Sequence, residues 1–152
     1  MIIGKESEYT YGQIRNILQE KKIADCCRLE EYKSDIATWY EAIDILIAPS
    51  ENEAFGRNII EGIERGAIIV AAKSGGHAEI IDSDSIGRLV DVGDINGYLK
   101  SIESVLADYS EIEKAAEVGR SMIVERYDTK KICSQIVSEY RSLATSPIRH
   151  LN

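Results

Sequence analysis

Two carboxylates and two glycine turns are the groups in this 152-residue chain whose types and spacing could do chemistry. Glu53 lies in the polar stretch Ser50-Glu51-Asn52-Glu53-Ala54-Phe55-Gly56, and Glu61 follows with seven residues between them. Gly56 precedes a helical segment, 58–65, that stops at Gly66. The unpaired N–H groups near 56–58 would carry the positive end of the helix dipole, which is a place for an anion such as a diphosphate. Glu53 before the helix and Glu61 one turn inside it would flank one small ligand along its length, and carboxylates are good acceptors for sugar hydroxyls. Glu61 could equally pair with Arg57 or Arg65, four residues away on either side. The second glycine turn is Lys73-Ser74-Gly75-Gly76-His77-Ala78-Glu79. Two glycines let backbone approach a ligand closely, although an ordinary strand–helix turn uses them as well. The G-x-x-x-x-G-K-[ST] order of a phosphate-cradling loop is absent. His77 is either a ligand to sugar or phosphate or a surface or capping residue.

The elements that must position these groups alternate. Short runs at 1–3, 25–29, 43–48, 67–72 and 86–90 read as strands, and 67–72, apolar throughout, and 43–48, apolar but for Asp44, suit parallel strands covered on both faces. Helical spacing marks 10–22, 35–42, 58–65, 77–81, 94–106, 110–126 and 129–144, with Asp94 and Asp128-Thr129 as start signals for two of them. Ile59, Ile60 and Ile63 define the core face of the helix at 58–65. Such alternation implies an α/β fold, a Rossmann-like parallel sheet with helices on both faces, and ligands in that architecture bind at the carboxyl ends of the strands.

Composition narrows the function classes. A formal net charge of −8 leaves no basic face for DNA or RNA. No apolar run reaches the roughly 18 residues that cross a bilayer. The odd set Cys26, Cys27 and Cys133 has neither disulfide-framework nor zinc spacing, which points to a reducing cytoplasm. Asp82-Ser83-Asp84 matches a D-x-D metal pattern that an acidic chain produces by chance. No metal and no cofactor is expected.

Taken in order, Pro49-Ser50, Glu53, Phe55-Gly56, Glu61 and Gly75-Gly76-x-x-Glu79 resemble the donor-domain signature of GT-B glycosyltransferases of family 4, also called group 1. Tyr40–Ile47 resembles the family's aromatic helix and the strand before Pro-Ser, Gly87-Arg88-Leu89-Val90 its G-x-L-V strand, and Arg126-Tyr127 with the helix through Tyr140 its last helices. The resemblance covers about residues 1–144, which would form the donor-binding domain, with 145–152 as a flexible tail. It implies retaining transfer of a sugar from a nucleotide diphosphate to a glycan or lipid-linked acceptor, in surface polysaccharide synthesis, in the cytoplasm or peripherally at the inner face of the membrane. Carried over by position, Glu53 meets the donor sugar, as both binding and catalytic residue. The backbone of Phe55, Gly56, Arg57 and Asn58 faces the diphosphate, Gly75 and Gly76 approach the donor, and Glu61 holds the ribose. Cys27, Arg28 and Leu29 line the base. Arg57 and Asn58 stand where the family has apolar residues, and Glu30 where a glycine is common, which weakens the base contact.

Two other readings share the same sheet: a non-catalytic nucleotide-binding module and a sugar-nucleotide epimerase. The resemblance also implies that the family's first strand–helix unit, with the arginine and lysine of a G-R-x-x-x-x-K-G pattern, and its N-terminal acceptor domain lie outside these residues. Met1-Ile2-Ile3-Gly4 resembles the family's second strand. On that reading the 152 residues alone transfer no sugar and bind nucleotide weakly. Residues 1–3 would pair beside 43–48, or the open sheet edge or an exposed C-terminal helix would recruit another copy.

Overall fold

The computed structural model describes residues 1–4, 9–31 and 36–145. The chain divides into two compact units, Met1–Trp39 and Tyr40–Asn152. The first unit pairs β1 (Ile2–Gly4) in parallel with β2 (Leu29–Glu31), Ile2 opposite Leu29 and Gly4 opposite Glu31. Helix α1 (Tyr11–Glu20) is the crossover between them. It starts in a capping box: Gln13 N–H donates to the Thr10 hydroxyl at 3.3 Å, and Thr10 N–H donates to Gln13 Oε1 at 2.8 Å. The strand expected at 25–29 begins only at Leu29. Ala24–Cys26 is a 3₁₀ turn whose local bonds, Cys26 N–H to Ile23 and Cys27 N–H to Ala24, take the amides a ladder would need.

The second unit is a three-stranded parallel sheet of β3 (Ile45–Ala48), β4 (Ile68–Ala72) and β5 (Arg88–Val90), in that order. Ile45 faces Ile68 and Val70 faces Arg88. Helix α3 (Arg57–Glu64) joins β3 to β4, and α4 (Gly75–Ile80) joins β4 to β5. A short α2 (Ala37–Tyr40) precedes β3, within the expected 35–42, of which Asp35 lies outside the described residues. Central β4 is buried at every position, as its all-apolar sequence requires of a strand with a neighbour on each side. Around it pack Ile59 and Ile63 of α3, Ile80, Ile81, Ile86 and Ile123, while Ile60 is partly buried against the same core. Each fully buried side chain of this size stabilises the fold by roughly 1.5–3 kcal/mol.

Residues 2–4 ladder with 29–31, and the expected pairing of 1–3 with 43–48 is not among the ladders formed. Three helices follow among the described residues: α5 (Ile95–Ala107), α6 (Tyr109–Arg126) and α7 (Thr129–Thr145). Asp94 caps α5 through Gly97 N–H at 2.9 Å, and Asp128 accepts Lys131 N–H at 2.7 Å at the start of α7. On α7, Ile132 is half-buried, whereas Ile136, Val137, Tyr140 and Leu143 are exposed. The expected tail lies outside the described residues apart from Thr145, which ends α7.

Candidate functional site

The site is built where β3 ends. Pro49 cannot continue the ladder, and the chain leaves the sheet at Ala48 in a loop that runs to Gly56. Gly56 stands at the N-cap of α3 with φ of +86°, and a side chain there would meet Ile80 Cδ1 at 3.0 Å and His77 Cδ2 at 3.1 Å. Both the left-handed backbone and the crowding select glycine. The first intrahelical bonds run from Ile59 and Ile60 N–H to the Gly56 carbonyl, so the amides of Arg57 and Asn58 precede the helical ladder.

The glycine turn after β4 is clamped against this loop. Ser74 Oγ–H donates to the Ser50 carbonyl and Gly76 N–H to the Glu53 carbonyl, each at 3.0 Å. A Cβ on Gly75 would lie 2.0 Å from Glu53 O, and one on Gly76 would lie 2.2 Å from Phe55 O. The two glycines are therefore brought together with Glu53, Phe55 and Gly56, and their smallness is used in backbone-to-backbone packing.

Glu53 is turned inward. Its Oε1 accepts Gly56 N–H at 3.0 Å and Phe55 N–H at 3.4 Å, and its Oε2 lies 3.9 Å from His77 Nε2. The carboxylate expected on the sugar thus rests on two of the amides expected on the diphosphate. Glu61 sits half-buried one turn into α3, where Arg57 Nη2 donates to its Oε1 at 3.1 Å. Arg65 pairs with Glu41 instead, at 2.9 Å. Of the two ion pairs that the sequence allowed Glu61, the structure forms the one with Arg57. Asn58 Oδ1 is buried without a hydrogen-bond partner. Phe55 is exposed and meets Tyr127 edge-on, with ring centroids 6.0 Å apart.

Cys27, Arg28 and Leu29 belong to the first unit. Cys27 follows the 3₁₀ turn and is half-buried, Arg28 pairs with Glu30 and lies over the Trp39 ring at 4.9 Å, and Leu29 opens β2. The remaining acidic pattern is used in ion pairs: Asp82 with Arg126 at 2.7 Å and Asp84 with Arg88 at 3.4 Å.

His77 departs from both roles the sequence left open for it. It is fully buried, with Nδ1 at 3.2 Å from the Ala72 carbonyl. The signal for this was its place three and four residues before Ile80 and Ile81, on the core face of the turn.

A family model, "Glycosyl transferases group 1", matches residues 1–122. A lipopolysaccharide core biosynthesis glycosyltransferase of Rhizobium meliloti is 28% identical over 105 residues, which cover 69% of this chain and 31% of that protein. Among solved structures, a glycosyltransferase from Rickettsia africae superposes with a TM-score of 0.83 at 23% identity, over 95% of this chain and 40% of that one. HepE of Anabaena, crystallised with UDP-glucose, gives 0.79 at 21% identity, over 92% of this chain and 40% of that one. At these identities the structural likeness establishes the fold. The chain spans about a third of the length of the Rhizobium relative.

Proposed function

The chain belongs to the glycosyl transferases group 1 family, and from that premise we propose that it is the donor-binding part of a retaining glycosyltransferase, holding a nucleotide-diphosphate sugar against the start of α3. The observation that carries this reading is the start of α3 at the carboxyl end of β3, where the Phe55 and Gly56 amides hold a carboxylate and those of Arg57 and Asn58 precede the helical ladder. As the glycosidic bond of a sugar nucleotide breaks, negative charge grows on the diphosphate and positive charge on the ring. The amides and the helix dipole are already aimed at the growing negative charge, so they need not reorganise. Glu53, released from the amides by the incoming diphosphate, orients the sugar through its hydroxyls. Glu61 accepts from the ribose. Gly75 and Gly76 keep the floor of the site thin enough for the loop to lie on it.

No protein-bound metal takes part in this reading, because the amides supply the charge stabilisation. The acceptor is a glycan or lipid-linked sugar, in keeping with the Rhizobium relative's part in lipopolysaccharide core synthesis. No helix among the described residues is long and apolar enough to cross a membrane, and the proposal places the enzyme in the cytoplasm, peripheral to the inner face.

Calorimetry against UDP, GDP and ADP and their glucose conjugates tests the reading. Saturable binding of one nucleotide class supports it, and no binding of any of the six refutes it. Product analysis then separates the activities: transfer with retention gives a glycoside of the donor's own anomeric configuration, whereas an epimerase gives altered sugar without an acceptor.

A further inference from the structure

His77 is the buried polar side chain of the core among the described residues. A carbonyl oxygen can only accept, so the ring's contact with Ala72 O puts a hydrogen on Nδ1. Nε2 is then left buried with no hydrogen-bond partner, an unfavourable arrangement unless something completes it. The charged group turned toward it is Glu53, whose Oε2 is 3.9 Å away. The ring lies beneath Gly56 and against the Ala72 carbonyl of β4, while Lys73 and Glu79, the charged neighbours on its own segment, are exposed. With Nε2 bare, neither atom donates across this gap, and a proton on Nε2 would make the ring a donor beside the carboxylate. A diphosphate seated on the Phe55 and Gly56 amides would favour that proton twice. It would free the carboxylate from those amides, and it would bring more negative charge beside the ring.

We propose that His77 is the positioning residue of the donor site: binding of a nucleoside diphosphate draws one proton from solvent onto Nε2, and the imidazolium then holds the Glu53 carboxylate where it meets the sugar. The inference rests on the proposed function in one respect, that the diphosphate binds at these amides. Only an N–H bond forms, and solvent supplies the proton. Because the bound chain carries a proton that the free chain lacks, affinity rises as pH falls. It levels off where free and bound chains are both protonated.

The probe is UDP-glucose, whose diphosphate is esterified at both ends and does not itself titrate near neutrality. Calorimetry in two buffers of different ionisation enthalpy counts the protons taken up. The expected result is a net proton uptake on binding in the wild type and none in His77→Gln. Equal uptake in the two proteins, zero included, overturns the proposal while leaving nucleotide binding intact. A second measurement needs no ligand: the ring nitrogens of His77 are followed by NMR across pH in the wild type and in Glu53→Gln. The variant should titrate at lower pH, because the facing carboxylate is gone, and superimposable curves overturn the pairing. If the wild type binds no UDP-glucose, the uptake is counted with whichever of the other sugar nucleotides binds; if none of the six ligands binds, the functional reading falls, and the ligand-free titration still decides whether His77 and Glu53 are coupled.

Discussion

Replacing Gly76 by alanine puts one methyl group into a place already filled by backbone. Its Cβ would lie 2.2 Å from Phe55 O, 2.4 Å from Phe55 C and 2.6 Å from Phe55 Cα. Ordinary contact begins near 3.4 Å, so the loop must retreat by about 1 Å, and no flexible side chain can yield in its place. That retreat breaks the 3.0 Å bond from Gly76 N–H to the Glu53 carbonyl. Overpacking of this kind costs about 1–3 kcal/mol, and the lost hydrogen bond roughly a further 0.5–1.5 kcal/mol. Gly76→Ala should therefore destabilise the chain by about 2–4 kcal/mol, read as a lower urea midpoint at unchanged slope. Gly66→Ala is the control. Gly66 has φ of +93° and nothing within 4 Å of an added Cβ, so its loss is conformational alone, about 1–2 kcal/mol. The amide resonances of Phe55 and Gly56 should move in the first variant and stay in the second. A Gly76→Ala protein within about 0.5 kcal/mol of wild type, with those resonances in place, would refute the claim that the two turns are clamped together.

Glu53→Ala removes an acceptor from the Gly56 and Phe55 amides, and a lost cap of this sort costs about 1 kcal/mol in a denaturant titration. In a binding assay the same variant should weaken a sugar nucleotide more than the bare nucleotide. Glu61→Ala should weaken the bare nucleotide, about tenfold by calorimetry if one charge-assisted bond to the ribose is lost. Its stability should change by less than about 0.5 kcal/mol, since the Arg57–Glu61 pair is on the surface. Equal nucleotide affinity in Glu61→Ala would remove the ribose role. Ile69→Ala, on the central strand and fully buried, should lose about 2–5 kcal/mol of stability in urea without altering the site's chemistry.

What the sequence made legible was whatever depends on local pattern. Residues 67–72 are apolar on both faces and became the buried central strand, Ile59 and Ile63 turned inward as their spacing required, and Asp94 and Asp128 capped the helices they precede. The order of strand, Gly56 and helix was legible too, and β3 and α3 lie on either side of that loop. The register of 25–29 was not legible, because Asp25-Cys26-Cys27-Arg28 has no alternation to separate a strand from a 3₁₀ turn. Contacts between distant segments were also hidden. The bond from Gly76 to Glu53, the Arg126–Asp82 pair and the ring of His77 beneath Gly56 join residues that no periodicity connects. Nor did spacing reveal that Glu53 rests on the amides of its own loop, since that depends on the left-handed turn at Gly56.

The account stands on the placement of a diphosphate at the start of α3, and amide shift mapping of the labelled chain with UDP-glucose tests it most directly. The largest perturbations should fall on Gly56, Arg57 and Asn58, with smaller ones at Phe55, Gly75 and Gly76 as Glu53 leaves its amides. Saturable binding whose shifts cluster elsewhere would contradict the account. The hollow of about 350 Å³ lined by Ile60, Tyr127 and Lys130 is a competing surface within the same unit.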